Sequence, residues 1–175
     1  MSKASLIGLA AGVLLAGCAA TASDNSINAA GTANAAGTAS PKHHEPHVIN
    51  VASNTDFTTT IAQLQKAIDG RGFKTFAVID HAKGAASIGE TLRPTTLVIF
   101  GNPKGGTPLM QADQRLGLEL PLRMLVRETA NGGVNLSYPD YNHTLHEYQV
   151  SGQDERIAKV LGALNAIATD AGAAK

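Results

Sequence analysis

The run TTLVIF, Thr95–Phe100, restricts the fold more than any other stretch of the chain. A strand with one wetted side alternates apolar and polar residues, whereas one that is apolar at nearly every position has to be shielded on both sides, inside a sheet. LRMLV, Leu122–Val126, makes a similar demand. This chain therefore needs a sheet with both faces covered.

The neighbouring segments supply its partners. HVINVAS reads as a short β-branched strand, and NTDFTTTIAQLQKAIDGRG places Phe57, Ile61, Leu64 and Ile68 at spacings of four, three and four, one helical stripe. Thr55 or Asn54 can cap its start, and Gly70 or Gly72 can end it in the left-handed conformation. FKTFAVID reads as a strand, and HAKGAASIGETLRP as a connection. Thr107 as cap and Pro108 as first residue predict a short helix to about Leu116, because a first-turn proline lacks only an N–H that would be unpaired anyway. LPLRMLVRE and GVNLSY alternate, with Leu122, Met124 and Val126 facing one way and Val134, Leu136 and Tyr138 continuing the pattern, and Asn131-Gly132 between them predicts a hairpin. Ser151 with Asp154 has the form of a capping box, ahead of a helical stripe of Ile157, Val160, Leu161, Leu164, Ile167 and Ala168. The fold class is α+β, in the order β-α-β-β-β-β-α, with a single mainly antiparallel sheet packed by two main helices and a short extra one. If both helices lie on one face, a second copy of the chain is expected on the other, as a homodimer.

Upstream of this domain, placed at residues 48–172, the sequence changes character. Lys3 precedes the apolar run LIGLAAGVLLAG, Leu6–Gly17, which has the length of a signal-peptide core and is short for a membrane span. It ends in LAGC, which resembles the lipobox of bacterial lipoproteins, in which the cysteine is lipidated and the chain is cut before it. The resemblance implies a signal peptide at residues 1–17 and lipidation at Cys18. That is the chain's one cysteine, so lipidation leaves no thiol for disulfides or metal. Ala19 carries no aspartate-type retention signal, and by the same resemblance the expected address is the cell envelope, as an outer-membrane lipoprotein facing the periplasm. Residues 18–47 are rich in Ala, Thr, Ser, Asn and Gly and read as a tether from the lipid anchor, because they hold too little apolar surface to offset ordering. Basic and acidic residues balance at 14 each, with no basic run and no tryptophan, so nucleic acid is not an expected partner.

The most site-like segment is IFGNPKGGTPLM, Ile99–Met110. Gly101, Asn102, Pro103, Gly105, Gly106 and Thr107 form a candidate ligand loop, in which the glycines admit close approach and a helix starting at Thr107 offers unpaired N–H groups to an anion. No Lys-Ser or Lys-Thr phosphate signature follows. Asp80 and His81, at the end of the preceding strand, would add a carboxylate and an imidazole, with Glu128 and Tyr138 reaching the same cleft as a candidate polar cluster.

Four stretches, GFKTFAVIDHAKGA, LRPTTLVIFGNPKGGTPLM, LELPLRMLVRE and GVNLSY, together resemble a bacterial and archaeal family known as domain of unknown function 302. Phe100-Gly101-Asn102-Pro103 and Leu120-Pro121-Leu122 are the most specific pieces. The resemblance implies a small α+β domain with one sheet and two main helices, and homodimers. It implies no activity.

Histidines form a further constellation. HHEPH places His43, His44, Glu45 and His47 in the tether, and DYNHTLHEY places Asp140, His143, His146 and Glu147 at helix-compatible spacing. Imidazole and carboxylate suit a divalent metal such as Zn, Cu or Ni. An unordered stretch holds no preformed site, so the metal expected there is adventitious, and no cofactor is established. No H-E-x-x-H, Gly-x-Ser-x-Gly or paired-carboxylate pattern occurs. The leading reading is a lipid-anchored accessory domain that binds a small ligand or partner at the Asn102 loop. The alternatives are an enzyme using Asp80 and His81, and periplasmic metal binding through histidines.

Overall fold

A computed structural model describes residues 47–148 and 150–174. The candidate signal peptide, Cys18, and His43, His44 and Glu45 of the tether lie outside the described residues.

Strand β1 (Val48–Ser53) leads into helix α1 (Phe57–Gly70), then β2 (Lys74–Asp80), α2 (His81–Ala86), β3 (Thr95–Gly101), α3 (Pro103–Ala112) and a 3-10 turn (Gln114–Leu118). Strands β4 (Leu122–Glu128) and β5 (Val134–Pro139) form the hairpin, and α4 (Tyr141–His146) and α5 (Asp154–Gly172) complete the chain. The five strands make one antiparallel sheet in the order β1-β5-β4-β3-β2. TTLVIF lies between β4 and β2, paired on both sides. Asn131-Gly132 forms the β4–β5 turn, with Gly132 at φ 78° as a hairpin of this kind requires.

The register assigns two faces. Val98, Phe100, Leu122, Met124, Val126, Leu136 and Tyr138 are buried and share a core with Leu64 and Ile68 of α1 and Leu164 and Ile167 of α5. The other face carries Ile79, Leu97 and Leu125 side by side across β2, β3 and β4, bordered by Arg123, Arg127 and the Ser137–Asn50 pair at 2.6 Å. Leu97 and Leu125 are half-buried, and Ile79 is 41% exposed.

Several helix ends differ from the expectation. Asp56, rather than Thr55 or Asn54, caps α1, and its carboxylate accepts from the Thr59 amide at 2.9 Å and the Thr59 hydroxyl at 2.6 Å. Thr55 instead joins a hydroxyl cluster with Ser53 and Thr60. Gly72 takes the left-handed conformation after α1, at φ 71°. The connection after β2 is helical in its first part, because Asp80 accepts from the Lys83 amide and caps α2. Ser151 caps nothing. Helix α5 starts at Asp154 after Gln153 without a side-chain cap, and Asp154 and Glu155 in its first turn complement the helix dipole.

The far end of α5 closes the domain. The Asn54 amide donates to the Gly172 carbonyl at 2.8 Å, and a Cβ at Gly172 would stand 2.9 Å from the Ala52 carbonyl oxygen. Glycine alone permits that approach.

Candidate functional site

Strand β3 ends at buried Gly101, where a Cβ would lie 2.9 Å from the Phe76 ring and 3.3 Å from Pro121. The missing side chain lets Phe76 lean over the strand end. Asn102 then turns the chain: its Oδ1 accepts from the Lys104 amide at 2.9 Å, and its Nδ2 donates to the Gly72 carbonyl at 2.9 Å. The Asn102 carbonyl takes the amides of Gly105 and Gly106 at 2.9 and 3.0 Å. Helix α3 therefore begins at Pro103 behind the Asn102 cap, five residues before the expected start at Pro108 behind Thr107, with Gly105 and Gly106 inside it. The amides of Lys104, Gly105 and Gly106 are occupied, and the expected anion site at the Thr107 amide does not form.

Pro108 falls inside the helix and has no N–H to offer the Lys104 carbonyl one turn back. The Arg156 guanidinium of α5 donates to that carbonyl instead, at 3.5 Å, while its Nε donates to Gln153 Oε1 at 3.2 Å. The irregularity of one helix thus positions a cation on another.

Between α3, the first half of α5 and the ends of β2, β3 and β4 lies a groove of about 470 Å³. Phe73, Phe76, Met110, Leu120, Leu122 and Val160 supply its apolar wall. Phe73 is fixed by an edge-to-face contact with buried Phe100, at 5.9 Å and 78°. Phe76 is 55% exposed at the mouth. All six candidate loop residues, Gly101, Asn102, Pro103, Gly105, Gly106 and Thr107, line this groove. Among the described residues Arg156 and Lys159 are its charged residues, and no carboxylate lines it.

The candidate polar cluster does not assemble. Antiparallel pairing of β2 with β3 sets Asp80 opposite Thr96 and Lys74 opposite Gly101, so Asp80 and His81 lie at the sheet end remote from Asn102. Glu128 shares that remote end. Tyr138 is at the groove's end of the sheet but on β5, buried in the core, where loss of solvent pushes its phenol up from the ordinary value and Asp140 adds to the rise. None of the four lines the groove.

His143 stacks on His47 with ring centroids 3.8 Å apart, and its Nε2 stands 3.7 Å from Glu147 Oε1. His47 is joined to the domain, since its carbonyl accepts from the Asp140 amide at 2.7 Å. His146 ends α4. Among the described residues no group of three or more His, Cys, Asp or Glu is placed to hold a metal ion.

Of the α5 contribution, Arg156 and Lys159 are absent from the residues singled out in the sequence, and Val160 is read there only as part of an apolar helical stripe. Their spacing of three and four was a usable signal, because it puts two cations on the turn where an apolar stripe begins.

Comparison with known proteins gives three findings. The family model for "Domain of unknown function DUF302" matches residues 49–169. The chain is 39% identical over 93 residues, 53% of its length, to proteins named "Fluoride-specific ion channel FluC 1" from Brucella suis biovar 1 (strain 1330) and Brucella abortus biovar 1 (strain 9-941), covering 37% and 34% of those chains. It thus spans about a third of the length of the curated relatives it matches. The crystal structure of an uncharacterized conserved DUF302 protein from Bacillus stearothermophilus superposes with a TM-score of 0.66 at 17% identity, covering 71% of this chain and 98% of that one. This likeness establishes the fold alone.

Proposed function

Since this chain belongs to the DUF302 family, whose name carries no activity, we propose from the geometry of its groove that the protein is an accessory domain that binds a small, mainly apolar molecule. The observation that carries the reading is a cavity of about 470 Å³ walled mainly by aromatic and aliphatic side chains, with Asn102, Thr107, Arg156 and Lys159 as its few polar side chains. Small-molecule sites have volumes of about 300–1,000 Å³ and this composition. The catalytic alternative would draw on Asp80, His81 and Glu128 at the sheet end remote from the groove, and none of the three lines it. The Brucella relatives' channel name belongs to much longer chains, and the reading does not rest on it. Among the described residues no helix is long and apolar enough to cross a membrane.

Native mass spectrometry of protein taken from its own cells, without refolding, tests the groove. A co-purifying small molecule is expected, and Asn102→Ala should weaken its retention, because that change removes both the α3 cap and the tie to Gly72. Loss of a helix cap costs about 1 kcal/mol, small enough to leave the protein folded. If nothing co-purifies and the variant behaves like the parent in a binding screen, the proposal fails.

The same proposal places the domain in the cell envelope, held by lipid on Cys18 and paired with a second copy through the sheet's open face. The motivation for the anchor is the LAGC sequence behind an apolar run of signal-peptide length. In a bacterial host the precursor should be cut before Cys18 and partition into detergent, and Cys18→Ser should leave it uncut. Cleavage and partitioning unaffected by the substitution would exclude lipidation there.

A further inference from the structure

We infer that the groove takes a single-chain anionic amphiphile, with its apolar body against Phe73, Met110, Leu120 and Val160 and its head at Arg156 and Lys159. This inference rests on the binding reading above and adds the chemical class of the ligand.

Three observations converge on it. Along α5 the groove-facing positions run Arg156, Lys159, Val160 and Ala163, changing within two turns from cationic to apolar. A molecule lying along this helix would meet charge at one end and hydrocarbon at the other. Second, the cations are not neutralised by partners. The hydrogen bonds of Arg156 go to an amide oxygen and a backbone carbonyl, and among the described residues neither Arg156 nor Lys159 forms a salt bridge. Asp154 and Glu155 line a neighbouring depression together with Arg156 and Lys159, but among the described residues neither carboxylate stands within ion-pair distance of those cations. Third, the first-turn amides of α3 are consumed by Asn102, so an anion entering the groove has side chains as its receptor rather than a helix terminus.

Arg156 is also positioned in advance. The carbonyl that Pro108 leaves without a backbone donor holds one guanidinium nitrogen, and Gln153 holds Nε, which orients the fork before a ligand arrives.

Isothermal titration of the delipidated full chain with octanoate, decanoate, dodecanoate, dodecanol and dodecyltrimethylammonium, each below its micelle concentration, tests the assignment. Dodecanoate should bind most tightly, with affinity rising roughly fourfold per methylene, the factor corresponding to about 0.8 kcal/mol per buried CH2. Dodecanol should bind about tenfold more weakly or worse, the expected loss of a charge-assisted hydrogen bond. The double variant Arg156→Gln/Lys159→Gln should reduce dodecanoate to the level of the alcohol and leave the alcohol unchanged, while Arg156→Lys should keep most of the preference. Equal binding of the carboxylate, alcohol and ammonium would overturn the anionic head but leave the groove reading standing. Affinity independent of chain length would overturn the amphiphile itself. If no probe binds, this inference falls, and native mass spectrometry then decides whether the groove reading falls with it.

Discussion

Replacing Gly106 by leucine should stabilise the protein and close its groove. Gly106 sits inside α3 without a positive φ, and a Cβ there would meet Leu120 Cδ1 at 3.5 Å and Met110 Cε at 4.0 Å, ordinary contact distances. Glycine is about 1 kcal/mol worse than good helix formers in a helix interior, so the substitution should raise the melting temperature by a few degrees. The same side chain projects among groove residues, and binding of dodecanoate should fall by about tenfold or more as its volume is taken. Calorimetry and titration on one preparation check both halves. A variant that is more stable but binds unchanged would show that the ligand sits elsewhere, because loss of folding could not explain that result.

The second large effect concerns assembly. Ile79, Leu97 and Leu125 form a cross-strand apolar row on the face away from α1 and α5, with Ile88 and Leu92 of the following connection 77% and 46% exposed. Contiguous apolar surface of this kind is uncommon on monomers and is usually covered by a two-fold contact. Light scattering on residues 47–175 should give the mass of a dimer at tens of micromolar. Ile79→Glu, at a position already 41% exposed, should convert it to a folded monomer. A monomeric parent with a well-folded spectrum would exclude the pairing and mean that Arg123, Arg127 and the Asn50–Ser137 pair make the face wet enough.

How much of this could be read in advance varied with the physics involved. Strand positions and the hairpin follow from side-chain alternation and from Gly132, which are local, and the chain places them as read. The start of α3 is expected at Thr107-Pro108, although Asn102-Pro103 has the same form of a cap followed by a first-turn proline. The helix starts at Pro103 because Asn102 ties back to Gly72 and because Arg156, 52 residues beyond Lys104, satisfies the Lys104 carbonyl that the internal proline strands. Neither contact is written in the local sequence. Asp80 failed as a neighbour of the loop for a different reason: successive antiparallel strands run in opposite directions, so the ends of β2 and β3 point to opposite edges of the sheet. The capping-box pattern at Ser151 gave way to Gln153 and the turn at Gly152, whose φ of 75° shifts the helix start by the few residues on which cap assignments depend.

The bond from Asp140 to the His47 carbonyl also gives the domain an upright and an inverted end. In the register, Val48 lies opposite Pro139, at the same sheet edge as Phe100, Leu122 and the groove, while Asp80 and the β4–β5 hairpin occupy the opposite edge. Strands of this length separate the two edges by roughly 20 Å. Residue 47 therefore stands at the groove's end of the sheet, and the hairpin is the point of the domain farthest from it along the strands.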